Sequence, residues 1–163
     1  MSINFKQFKD HVVIPTLKYL ENEIPYSDEA VDLLMMTAAH ESKGGKFLRQ
    51  VGVPDGVGAY GVYQMELGTA DDIWSNFLDY RSLGKVIDDV VSSISEDSLI
   101  TNLTYATAMA RAHYYRVPHA IPTKGDSGYL DKLGRYAKKH YNTPLGKATS
   151  SKYVLDYLEW RDS

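Results

Sequence analysis

Apolar residues recur early in the chain at Phe5, Phe8, Val12, Val13, Leu17 and Leu20. This spacing predicts an amphipathic helix over Phe5 to Glu23, with Pro15 as a kink or as a break between two short helices. Pro25 closes that region. Ser27 then suits an N-cap, with Asp28 and Glu29 in the first turn of a second helix. That helix runs Ala30-Val31-Asp32-Leu33-Leu34-Met35-Met36-Thr37-Ala38-Ala39-His40-Glu41-Ser42 and is apolar on most sides, as a buried helix must be. Gly44 and Gly45 stop it.

The pattern changes between Lys43 and Gly68. Glycines at 44, 45, 52, 56, 58 and 61, with Pro54-Asp55-Gly56 among them, mark turns. The runs Phe47 to Val51 and Tyr60 to Met65 predict a small hairpin or an irregular loop. Thr69 and Asp72 resemble a capping box that opens a helix through Ile73, Trp74, Phe77 and Leu78. A helix follows over about Leu83 to Ile94. A long one is expected from Ser95-Glu96-Asp97 to Tyr115, and another from Ser127 to Tyr141. The turn Asn142-Thr143-Pro144-Leu145-Gly146 precedes a last helix through Tyr153, Leu155 and Leu158. The expected class is mainly α, with one glycine-rich insertion directly after the helix that ends at Glu41. There is no internal repeat or low-complexity tract.

Composition narrows the function. At 163 residues one domain, 1–163, is expected. The net charge of −3 comes with no block of like charges, against a dedicated nucleic-acid binder. Without cysteine, disulfides and thiolate metal sites are excluded. No segment has the length and apolarity of a bilayer span, and the N-terminus lacks the apolar run of a signal peptide, so no membrane partner is expected. Tyrosine is over-used, at 13 residues against 4 Phe and 2 Trp. Tyrosine suits half-buried packing, and also stacking on sugars.

Glu41 carries the chemical interest. A carboxylate on the last turn of a buried helix is disfavoured in its charged form by low dielectric and by the negative end of the helix dipole. Both raise its pKa, as a proton donor near neutral pH requires. Glu66 is the second-carboxylate candidate, on the same face as Gln64 if the segment is extended, or else a surface charge. Gln64, and more weakly Gln50, would orient the acid, bond substrate or tie the hairpin down. Ser42 is either a partner of the acid or a helix-end hydroxyl. Tyr60, Tyr63, Tyr114 and Tyr115 are core residues or substrate platforms, and one of the last two could donate a hydrogen bond to Glu41. His40 adjoins Glu41, but helical neighbours point about 100° apart. The five histidines show no ligand spacing, and no metal or cofactor is expected. Gly56-x-Gly58-x-x-Gly61 fits a dinucleotide fingerprint only formally, because no βαβ unit surrounds it.

Glu41-Ser42, then Gly58-Ala59-Tyr60-Gly61-Val62-Tyr63-Gln64, then Thr69, together resemble the lytic transglycosylase and goose-type lysozyme superfamily, over roughly residues 30 to 75. The chain also resembles small bacteriophage proteins with lysozyme-like domains, in part through Lys139-His140-Tyr141-Asn142-Thr143. Leu67 departs from the family's usual proline. The family's Ala-Tyr-Asn motif has Ala112-His113-Tyr114-Tyr115 as its nearest counterpart. The resemblance implies a lysozyme-like helical domain, Glu41 as catalytic acid, and supporting or substrate-binding roles for Ser42, Gln64, Glu66 and the four tyrosines. The implied substrate is the glycan strand of peptidoglycan. The implied setting is a phage virion, with other virion proteins as partners, or an endolysin that leaves the host cytoplasm for the wall. Two alternatives stand beside the transglycosylase: a muramidase using Glu41 and Glu66 with water, and a non-catalytic wall-binding or structural module.

Overall fold

The computed structural model describes residues 1–141 and 147–163. The expected turn at 142–146 lies outside the described residues. The molecule is mostly helical. Its helices are α1 (Phe5–Phe8), α2 (Ile14–Tyr19), α3 (Asp28–Ser42), α4 (Leu67–Asn76), α5 (Ser82–Asp88), α6 (Ser98–Thr101), α7 (Leu103–Tyr115), α8 (Tyr129–His140) and α9 (Ser150–Arg161). Two short antiparallel strands, β1 (Ala59–Tyr60) and β2 (Met65–Glu66), pair Ala59 with Glu66 and Tyr60 with Met65.

Pro15 neither breaks nor ends the first helical run. It sits in the first turn of α2, and the turn before it, Lys9–Val13, widens to π-type spacing. Proline has no N–H to give the ladder, and a wider turn accommodates that loss. The Thr16 hydroxyl donates to the Val12 carbonyl at 2.6 Å.

α3 is the central helix. Ser27 caps it as expected, its hydroxyl accepting from the Ala30 N–H, and Leu33, Leu34, Met35, Met36 and Ala38 are sealed from solvent. It packs against α9, which packs in turn against α8. One apolar cluster joins α3, α8, α9 and part of α7. A second lies beneath the hairpin, α4 and α5, and draws Tyr105, Ala108, Met109 and Ala112 from α7.

The end of α3 is a tight left-handed turn. Lys43, Gly44 and Gly45 all have positive φ, of 55°, 65° and 84°. Gly44 could not be replaced cheaply, because a Cβ there would lie 2.4 Å from Trp160. The hairpin is seated the same way: a Cβ on Gly61 would lie 2.0 Å from the Leu99 carbonyl oxygen.

Three boundaries differ from the sequence expectation. The helix expected over Leu83 to Ile94 ends at Asp88. The long helix expected from Ser95 to Tyr115 breaks at Asn102, which adopts an extended conformation, caps α7 through the Tyr105 N–H, and donates its amide to the Val90 carbonyl. A side chain that satisfies two backbone groups at once outweighs helical continuity there. Thr69 does not open α4. The helix already starts at Leu67, and no side chain caps it.

Candidate functional site

Glu41 is the next-to-last residue of α3 and faces a cleft of about 740 Å³. The hairpin and the start of α4 form one wall, through Gln64, Met65, Glu66, Thr69 and Asp72. The end of α7 and the end of α8 form the other, through His113, Arg116, His140 and Tyr141. Glu41 Oε1 accepts a hydrogen bond from the Tyr153 hydroxyl at 2.9 Å. Burial pushes the acid from an ordinary 4.5 up to about 7, and the Tyr153 hydrogen bond opposes that rise only in part. At neutral pH both protonation states are therefore populated.

Tyr153 comes from α9, 112 residues downstream of Glu41. Its ring lies on the His40 ring, with centroids 3.9 Å apart and planes tilted by 30°. His40 Nδ1 in turn meets Asp156 Oδ2 at 2.9 Å. Tyr153 and Asp156, three apart on α9, face the same side of the helix. They meet the adjacent residues Glu41 and His40 on α3. The two α3 side chains point apart, and Tyr153 bridges them. Asp156 also binds Lys43 at 3.0 Å and Lys152 at 2.6 Å.

The cleft's other polar groups restrain one another. Arg116 donates to Asp72 at 2.6 Å and lies 3.2 Å from His113 Nδ1. Asp72 also accepts from Asn76, and these bonds, Arg116 first, hold its carboxyl below the usual range. Burial drives His113 down to about 4, with Arg116 adding to the effect, so it is neutral at pH 7. Tyr141 donates to the Tyr63 carbonyl at 2.5 Å.

The residues singled out from sequence divide clearly. Glu41, Gln64 and Glu66 are brought together in the cleft, with Gln50 nearby. Gln64 is not extended, so the condition for its sharing a face with Glu66 is not met: its φ is 46°, and its amide donates to the Gly61 carbonyl at 2.8 Å. Ser42 is buried, accepts from the Gly45 N–H and donates to the Ala38 carbonyl, so it fastens the glycine turn. Tyr60 accepts from the Gly56 N–H and lies under Arg49. Tyr63 bonds the Thr107 hydroxyl, and Tyr114 bonds that of Thr37. Tyr115 is partly exposed near Phe77 and Arg111. None of these four tyrosines lines the cleft. The hydrogen bond to Glu41 considered for Tyr114 or Tyr115 is made by Tyr153 instead.

Sequence reasoning missed Tyr141, Arg116 and His113 as cleft residues and Tyr153 as the buried partner of Glu41. The excess of tyrosine was the available signal, but pattern alone assigns no tyrosine to a distant helix end. Among the described residues, no cluster of His, Asp and Glu is arranged to hold a metal ion, and no helix is long and apolar enough to cross a membrane. No protein-family model, curated protein or solved structure matches the chain.

Proposed function

We propose that the chain is a peptidoglycan-cleaving lytic transglycosylase of lysozyme-like fold, with Glu41 as its acid and base. The observation that carries this reading is a carboxyl group set in an open cleft, raised to about 7, with a neutral tyrosine as its hydrogen-bond partner. The resemblance of Glu41-Ser42, Gly61, Gln64 and Thr69 to the superfamily's motifs supplies the substrate class. The same resemblance suggests a phage-encoded protein that acts in wall penetration or host lysis.

In the proposed reaction, protonated Glu41 gives its proton to the oxygen of the β-1,4 bond between N-acetylmuramic acid and N-acetylglucosamine. The C1–O bond breaks, and the leaving sugar departs with a new hydroxyl. Charge builds at C1 as an oxocarbenium-like centre, which the substrate's own N-acetyl oxygen can stabilise. The Glu41 carboxylate then takes the proton of the muramic acid C6 hydroxyl, and O6 closes on C1 as a 1,6-anhydro ring. Proton and electron pairs balance without water, and the acid returns to its starting state. A pKa near 7 suits both halves of this cycle.

A hydrolytic reading is favoured by one observation: Glu66 lines the same cleft and is exposed to solvent, where it could direct a water. Digestion of purified peptidoglycan with wild type and Glu41→Gln, followed by mass spectrometry of the released muropeptides, separates the readings. Anhydro-muramic ends that vanish with the variant are expected. Reducing muramic ends would replace the transglycosylase with a muramidase. No release by folded wild type would leave only a binding or structural module. Detection of the protein in purified phage particles would assign it to the virion, and its absence there would favour an endolysin.

A further inference from the structure

A second hollow, of about 490 Å³, lies where the end of α7 meets the segments before α3 and α8, and it shares no lining residue with the Glu41 cleft. Its walls are largely aromatic and apolar, with Tyr26, Tyr115, Tyr136 and Ile121 among them. Set into these walls is Arg111, only 7% exposed. A guanidinium in such a place normally has a carboxylate beside it, because an unpaired buried charge is costly. Here none is present. Among the described residues Arg111 makes no ion pair and no hydrogen bond; Tyr136 and Tyr115 are near it, with the guanidinium carbon 5.6 Å from the Tyr115 ring centroid. Glu29 also lines the hollow, but its carboxylate accepts the Lys124 N–H at 3.2 Å and does not reach Arg111. No side-chain nitrogen or oxygen among the described residues is both sealed from solvent and unpartnered. The Arg111 nitrogens therefore keep access to solvent, and the residue lines the hollow.

We infer that this hollow is a binding site for an organic oxyanion, in which Arg111 grips a carboxylate or phosphate group and the tyrosine walls hold an apolar or aromatic body. The guanidinium fork matches two oxygens of either group. A half-desolvated site strengthens that contact, while the flat tyrosine faces and Ile121 cover the rest of the ligand. Burial also holds the Arg111 pKa below its ordinary value, the mark of a charge without compensation. The site stands independently of the proposed wall-cleaving reaction.

The test is a titration followed by NMR of the Val117 and Ile121 methyl groups, which line the hollow. Benzoate, phenyl phosphate and inorganic phosphate serve as separate probes. Saturable shifts with benzoate or phenyl phosphate are expected, and the tighter of the two identifies the headgroup. Arg111→Met should weaken that binding at least ~10-fold. Arg111→Lys should fold and bind more weakly than wild type, and it carries the test if Arg111→Met does not fold. Two outcomes overturn the inference: no saturable shift with any probe up to ~20 mM, or binding that is unchanged in both variants. Equal binding of inorganic phosphate and phenyl phosphate would overturn the role of the aromatic walls.

Discussion

Glu41 and Asp156 sit on facing helices, Glu41 part-buried at a cleft and Asp156 buried, each within reach of Tyr153 or His40, yet they are driven in opposite directions. Asp156, with its side chain 1% exposed, has Lys43, Lys152 and His40 around it. Burial raises its pKa, but the three hydrogen-bonded partners outweigh that and hold it below 3.8. Glu41 is also desolvated, but among the described residues its hydrogen-bond donor is the Tyr153 hydroxyl, and it rises to about 7. Burial alone therefore does not make a proton donor. What matters is that, among the described residues, the nearby cations pair with Asp156 and none pairs with Glu41. Asp156 then acts as a fixed anchor, and Glu41 as the group free to change charge.

The largest expected effect tests the active half of this pair. Glu41→Gln should lower muropeptide release by ~10³-fold, within the range of general acid–base contributions, while the protein stays folded by circular dichroism. The same variant should be more stable than wild type at alkaline pH. An acid raised from 4.5 to about 7 on folding favours the folded state at low pH. That contribution is complete below about 4.5 and is lost as pH rises through about 7. The penalty for ionised Glu41 at pH 8 is at most ~3 kcal/mol, so urea unfolding of Glu41→Gln at pH 5 and pH 8 should show a gain only at the higher pH.

Asp156→Asn tests the anchor. It leaves Lys43, Lys152 and His40 without their carboxylate. The two lysines are half exposed, so screening limits the cost to ~1–3 kcal/mol in chemical denaturation. Asp156 has a depressed pKa, and its stabilisation is present above 3.8 and fades as pH falls below that value. Wild type should thus lose stability on acidification through this window, and Asp156→Asn should not. The smallest effect is expected from Tyr153→Phe. Removing the hydrogen bond that favours the Glu41 carboxylate should move the alkaline limb of the pH–activity profile upward by less than ~1 pH unit. A downward move would mean that Tyr153 stabilises the protonated form instead.

The acid of this pair was legible in the sequence, and its anchor was not. Ser27, the apolar run of α3 and the glycines after Ser42 together predict a buried helix with an acid on its last turn, because each signal is local. Gly61 and the surrounding turns placed a hairpin beside it, although the pairing shifted: Arg49 only bridges Tyr60, and the strands are Ala59–Tyr60 and Met65–Glu66. Tyr153 and Asp156 could not be assigned from pattern. Their spacing marks a helix face, but only tertiary packing decides which helix it meets. The break at Asn102 was hidden for a similar reason, since its bond to the Val90 carbonyl is invisible until the chain folds back.

The turn after Glu41 is also held from both directions along the chain. The Ile3 N–H donates to the Gly44 carbonyl, and the Trp160 indole donates to the Ile3 carbonyl across 157 positions. The surroundings of Glu41 are thus assembled from contacts of very high sequence separation, and such contacts slow folding. A chain emerging from the ribosome carries Glu41 long before it carries Tyr153 or Trp160. During that interval Glu41 lacks the α9 residues that pack beside it in the folded chain. Synthesis order thus separates the appearance of Glu41 from that of the α9 residues that enclose it.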